Sequence, residues 1–539
     1  STRAHGDHPM KDARPKVEKT SMGGDAGFGA LGLGARLKEP PAPELVRSAY
    51  QLETDDCAIL WREMSLADLA HMVMLIEVGV LPTDTGRRLL GLLLELHATP
   101  VGDVQLDPVL GDVYSNREGW VSRRDASAAG WLSAGRARRE ATTTAYRIAV
   151  RARLLGLTQA MTDLIDAVLD QAEAHVGTVM PDYTYLQQAH PTTVAHYLVS
   201  FAYPMLRDVE RIEACFRHTN MSPGGGGSTN GSRLPLDRDR LMSLLGFQGM
   251  IANTRDAMWQ ADGPVEVMAA IVALLVNVDR LAEDLMIWAT QEFAFVELAD
   301  RHARASVIMP HKKNPYSLAY LRGVAGVEIG RLAAMANVGR TPSAQVDNRI
   351  FAYGQIPRAL DTATDAVRLM AGVMRGLAFD SELMARRALD GHGQATDLAE
   401  VIMIEGGLNY RDAHRVVGSV VRQAVERGQP LREVDSDLID RVSRAVLGRP
   451  LVLAPDVVAQ AVDPAAIVAS RAGAGGAARE PMLDMIAECR AGARAADEWR
   501  TATAAILTAA EEDLVKQATA LAADHEGPGP RPQTRRSEP

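Results

Sequence analysis

Residues 141–177 contain no proline, and their apolar side chains return every three or four positions. Ile148, Leu154, Leu155, Met161, Leu164, Ile165, Val168 and Leu169 carry this rhythm, which is that of one face of an α-helix. Residues 265–294 repeat it through Val267, Ile271, Leu274, Val278, Leu281 and Leu285, and two further stretches cover 316–338 and 355–378. Helices of about 25 residues or more exceed the usual globular length. Such helices need partners along their whole length, so the pattern predicts a bundle shared with other subunits. Alternating strand-like runs are scarce, which argues against a parallel-sheet fold.

Composition points the same way. Aromatic residues make up only 5% of the 539 residues, against 47% apolar and 23% charged, a balance that favours helices over β-sandwiches. The formal charge of −10 contains no long block of one sign, so nucleic acid is not an expected partner. An anionic substrate would need a local cationic pocket against that background. Cys57, Cys215 and Cys489 lie far apart and match no metal spacing, which fits a reducing cytoplasm. The first forty residues lack an apolar leader. The longest apolar run, "VMAAIVALLV" at 267–276, is too short to span a bilayer, so no membrane association is expected.

These features divide the chain into a disordered arm (1–38), an N-terminal helical domain (39–130), a central long-helix bundle (131–378), a C-terminal helical domain (379–522) and a disordered tail (523–539). Three joints interrupt the helices. "MPDYTYLQQAHPTT" (180–193) sets two prolines around a polar segment, and "SPGGGGSTNGSRLP" (222–235) is too glycine-rich to be helical. The third is "RASVIMPHKKNPYSLAYLRG" (304–323). Loops of this kind between rigid helices are where sites tend to sit.

The bland interpretation of each joint is a connection. The glycine-rich segment is not a phosphate-binding loop, since no strand precedes it and GxxxxGK[ST] is absent. "AGRARRE" (134–140) is either a solvated basic face or a carboxylate-binding cluster that uses bidentate guanidinium contacts. His190, His196 and His311 are scattered without paired spacing, so neither a metal nor another cofactor is expected. The third joint differs in kind. Ser306, Lys312 and Asn314 share one loop. Lys312 and Asn314 could stabilise the dianion formed when a carboxylate-bearing substrate loses a proton beside its carboxyl group. Ser306 could take that proton if nearby cations lowered its pKa.

"SVIMPHKKNP" resembles the signature loop S-x-x-M-P-x-K-x-N-P of the aspartase/fumarase superfamily, and its doubled lysine most resembles argininosuccinate lyase. "GRARRE" resembles that family's G-R-S-R-N-D, and "MPDYTYLQQAHPTT" its M-P-G-Y-T-H-L-Q-x-A-Q-P-V-T. "SPGGGGSTNGSRLPLDRDRLMSLLGF", "FVELADR" and "YRDAHRVVG" follow in the family's order, so the resemblance covers roughly residues 40–450. It implies an all-α, three-domain subunit with a central long-helix bundle, assembled as a homotetramer whose active sites are shared between subunits. The implied chemistry is anti-elimination from a succinyl compound, a small dicarboxylate, with release of fumarate. Ser306 matches the catalytic base, Lys312 and Asn314 the stabilisers of the aci-carboxylate, and Arg138 the arginine of G-R-S-R-N-D. Thr184 and Gln187 match the T-H-L-Q segment. Arg139, Met309 and Lys313 are further candidates for substrate binding.

The departures are specific. The family pairs the histidine of T-H-L-Q with a glutamate seven residues after the signature lysine. Here those positions hold Tyr185 and Ala319, and the aspartate after K-K-N-P is Tyr316. The segment that binds arginine in argininosuccinate lyase becomes "SAQVDNRIFAY" (343–353), with Gln345, Ile350 and Tyr353 at its Tyr, Gln and Lys positions. The expected substrate is therefore an N-substituted aspartate other than argininosuccinate, with Tyr185, His190 or His311 serving the leaving group. One alternative is elimination of a good leaving group, such as nitrite from nitrosuccinate, which needs no acid. The other is a catalytically silent scaffold.

Overall fold

The computed structural model describes residues 36–37, 39–341 and 349–523. The expected arm (apart from residues 36 and 37), the tail beyond 523 and Gln345 lie outside the described residues. The fold is all-α, as the apolar rhythm requires. The principal helices are α1 (Cys57–Glu77), α2 (Thr83–Ala98), α3 (Val113–Ser122), α4 (Arg138–Ala174), α5 (Val194–Thr219), α6 (Asp262–Trp288), α7 (Tyr316–Val338), α8 (Ile350–Arg375) and α9 (Arg479–Ala523). No described helix is long and apolar enough to cross a membrane.

Helices α4 to α8 form a bundle whose directions follow from side-chain contacts. Thr143 Oγ1 lies 3.0 Å from the Tyr353 hydroxyl, and Gln171 Nε2 donates to Met374 O at 2.7 Å, so α4 and α8 run parallel. Arg147, near the start of α4, donates to Thr219 O at the end of α5, so α5 runs back. The rings of Tyr197 and Trp288 lie 4.4 Å apart, which returns α6 to the end where α5 began. Arg322 then pairs with Asp279 and Glu283 as α7 descends along α6. One end of the bundle, called the base, carries the start of α4 and the loops around 220–262. The other, called the lid end, carries residues 175–193 and 289–315.

The main core lies between these helices, and a second surrounds α1, α2, α3 and the start of α4. A third, smaller core occupies residues 398–462. Helix α9, which falls largely within the range expected for the C-terminal domain, reaches both of the first two cores. Met482, Ile486 and Cys489 of α9 pack into the main core and Leu514 and Ala518 into the second, because the apolar stripe of α9 continues over its 45 residues.

The first joint also departs from expectation. Residues 179–193 form an antiparallel hairpin, β1 (Val179–Thr184) and β2 (Gln187–Thr193). Pro181 faces Pro191, so both missing N–H donors fall on one rung and the rest of the ladder is spared. Helix α7 is apolar all round, with Leu318, Leu321 and Val324 buried while Tyr320, Val327 and Ile329 are exposed. A helix of that kind is normally covered on every side.

Candidate active site

At the lid end the third joint is a small hairpin. Arg304–Ala305 pairs with Lys313–Asn314, and Asn314 Nδ2 donates to Arg304 O at 3.0 Å. Ser306 Oγ accepts from Met309 N at 3.1 Å, and Lys312 N donates to Met309 O at 3.0 Å. This turn holds Ser306, Lys312 and Asn314 on one short loop while leaving it open, with Val307 and Ile308 almost fully exposed. The two lysines have different surroundings. Lys313 Nζ contacts Asp300 at 2.7 Å and Glu297 at 2.8 Å, and these acids hold its ammonium above the ordinary lysine pKa. Lys312 makes no ion pair among the described residues and is exposed.

Tyr185 and Leu186 form the two-residue tip of the first hairpin, between Thr184 and Gln187. Both have positive φ, 54° and 58°, as a type I′ turn requires. Asn and Gly normally occupy such positions because a Cβ is strained there. Tyr185 is 99% exposed, so its phenol projects from the subunit. Tyr183 packs edge-on against Phe293, with ring centroids 5.6 Å apart, and this ties the hairpin to the segment leading into the Ser306 loop. His196 is bound to Thr192 and Gly475 O, whereas His311 is exposed on the loop itself.

At the base every candidate arginine already has a carboxylate. Arg138 Nε lies 3.0 Å from Asp112, and the Arg138 side chain stays 47% exposed. Arg139 is nearly buried and grips Glu53 with both nitrogens, at 2.6 and 3.2 Å. Arg358 meets Asp56 at 2.5 Å. Glu53, Asp56 and Asp112 line one small cavity with Thr142, Ile350 and Tyr353. Arg136 does not face it. It shares the buried Asp68 with Arg117, at 2.8 and 3.0 Å.

The glycine-rich segment is tethered rather than loose. The buried Glu140 carboxylate accepts the backbone N–H groups of Gly225, Gly226 and Ser228 at 2.6, 3.2 and 3.2 Å. Burial pushes the Glu140 pKa up, against those bonds and Arg136. Gly227 has φ +60°, and a Cβ there would meet Gly231 O at 2.3 Å, so glycine is required. Sequence reasoning found the arginines but missed Glu53 and Asp112 as their counterparts, and Glu140 as the tether of the glycine-rich segment, since no spacing signals partners so distant in the chain.

Within one chain the two groups of candidates stay apart. Helix α6 has 27 residues and α4 has 37, which correspond to about 40 and 55 Å at 1.5 Å per residue. Ser306, Lys312, Asn314, Thr184, Tyr185 and Gln187 sit at the lid end, and Arg138 and Arg139 at the base.

Known proteins share this sequence and architecture. A family described as Lyase matches residues 104–330, and one described as Argininosuccinate lyase C-terminal matches residues 392–469. The argininosuccinate lyase of Methanosarcina acetivorans is 32% identical over 456 residues, which cover 84% of this chain and 91% of that protein. The chain is an argininosuccinate lyase-like member of the aspartase/fumarase superfamily. The Methanothermobacter thermautotrophicus argininosuccinate lyase is 31% identical to this lyase over 78% of its chain and 91% of the relative. EDDS lyase in complex with formate superposes with a TM-score of 0.81 at 28% identity, covering 90% of this lyase and 96% of the other chain. A variant of EDDS lyase with bound fumarate gives the same TM-score at 27% identity, with 90% and 97% covered. A fumarate lyase from Mesorhizobium sp., at 17% identity and a TM-score of 0.65, shares the fold. This lyase is a fumarate-forming C–N lyase.

Proposed function

We propose that this lyase cleaves the C–N bond of an N-substituted aspartate other than argininosuccinate, in sites shared between the subunits of a homotetramer. The observation that carries this reading is the separation of the two ends. One chain holds a base-and-oxyanion loop and an arginine cluster about 40 Å apart along the same helices, so a complete site needs the lid end of one subunit at the base of another. The bare apolar face of α7 supports such an assembly.

In the proposed reaction Ser306 takes a proton from the carbon next to the substrate's distal carboxylate. The electron pair forms the alkene as the C–N bond breaks, and the amine leaves with that bond's electrons and a proton. Lys312, without an ion pair among the described residues, and Asn314 stabilise the dianionic intermediate. Arg138 keeps an open flank for the second carboxylate, with Thr184 and Gln187 contributed beside Tyr185. Tyr185 supplies the amine's proton. Ile350 and Tyr353, where the family carries polar arginine contacts, support a substrate other than argininosuccinate.

The test is fumarate release from a panel of N-substituted aspartates, with Ser306→Ala abolishing it. No fumarate from any member would overturn the proposal. Mixing Ser306→Ala chains with Arg138→Ala chains, each inactive alone, should restore turnover; failure of properly mixed assemblies to do so would sink the shared site. Tyr185→Phe should slow substrates with basic amine leaving groups most. Equal slowing for all leaving groups would remove the acid role.

A further inference from the structure

A second, larger cavity lies at the base, on the far side of Tyr353 from the arginine cluster. Its volume is about 410 Å³, within the range of small-molecule sites. Tyr353 lines both this cavity and the small one with Glu53, Asp56 and Asp112. It borders both, and its hydroxyl lies 3.0 Å from Thr143 Oγ1.

The walls are largely apolar: Tyr146, Met221, Met250, Ile251 and Val267 contribute. The two arginines in the lining already hold protein groups. Arg147 donates to His218 O and Thr219 O, both at 3.0 Å, and to Gln260 Oε1. Arg349 donates to Met258 O and Gln260 O. These guanidinium groups lash the end of the short helix Thr254–Trp259 to the bundle and are poorly placed to grip a carboxylate as well. The remaining charges are acidic. Asp256 and Asp262 are exposed and make no ion pair among the described residues, and Glu266 pairs with His218 at 2.8 Å. Such a cavity accepts a bulky apolar body and tolerates a cation beside its acids, while a carboxylate would find the guanidinium groups already engaged.

We infer that this cavity receives the amine leaving group, and that the amine is bulky, largely apolar and free of carboxylate. The inference rests on the proposed C–N cleavage, because it places the succinyl end by Arg138 and extends the nitrogen substituent past Tyr353.

The test runs the reaction in reverse, where the amine nitrogen adds to one alkene carbon of fumarate and a proton to the other. Purified enzyme receives fumarate with benzylamine, cyclohexylamine, ammonia, glycine or arginine. The first two should exceed the others in kcat/KM by tenfold or more. Gly263→Phe should narrow the cavity, which Gly263 lines, and a Cβ there meets nothing within 4 Å. It should raise KM for benzylamine at least tenfold and leave KM for fumarate and turnover of ammonia unchanged. Met250→Trp gives a second filling variant, and melting curves report whether either disturbs the fold. A preference for arginine or glycine, or folded filling variants that bind benzylamine normally, would overturn the inference. Absence of addition with every amine, ammonia included, would instead count against the C–N lyase proposal.

Discussion

The two ends of the bundle are built on opposite principles. At the base, charged groups are buried and answered: Asp68 holds Arg117 and Arg136, Glu53 holds Arg139, and Glu140 holds a loop by its backbone. At the lid end, key polar groups stay open: Lys312 makes no ion pair among the described residues, and Tyr185 sits on a strained tip in solvent. The difference teaches where each end gains its stability. The charges of the base are answered within one chain, whereas those of the lid end are left open, as the proposed shared site requires.

Substitutions can break this contrast. The largest effect should come from Ser306→Ala, which should lower turnover by about 10³-fold, in the range of a lost acid–base group, without moving the melting temperature. A drop in melting temperature would mean that the loop is structural. Asp68→Asn should do the reverse. It leaves two buried guanidinium groups without a counter-charge and should cost about 3–5 kcal/mol by denaturant titration. An unchanged midpoint would show that the base is not held by its buried charges.

An effect that is smaller per pH unit concerns acid. Burial, aided by Arg136, depresses the His71 pKa to about 3, while Nε2 keeps a 2.9 Å contact with Ala134 O. The unfolded chain takes up a proton below about pH 6.5 that the folded chain refuses. Stability is therefore full above that pH and falls by about 1.4 kcal/mol per unit as pH drops toward 3. His71→Gln should flatten that part of the profile; an identical slope would remove His71 from it. The smallest effect should be at the hairpin tip, where Leu186→Gly relieves a positive φ and should add about 1 kcal/mol of stability. A loss of stability would show that the Leu186 side chain matters more than its backbone strain.

Much of this was legible in the chain. The helices of the bundle follow from apolar periodicity, and α7 begins and ends where its pattern does. The motif at 304–315 was legible because its residues are local. The hairpin at 179–193 was not, since two prolines suppress a strand pattern unless they face each other. The carboxylate partners at the base were not either. Glu53 and Arg139 lie 86 positions apart, and only the packing of α1 and α3 on α4 brings such groups together. The proposed sharing of the site between copies would leave no trace in periodicity except an uncovered face such as that of α7.

The long struts between the two ends also bear on how such a protein diversifies. Within one chain, substitutions around the cavity at the base lie several turns of rigid helix from the loop proposed to carry the chemistry. After gene duplication one copy could drift toward a new amine while its proton-abstracting loop stayed intact. If the two copies still co-assembled, each mixed site would join the loop of one lineage to the cavity of the other.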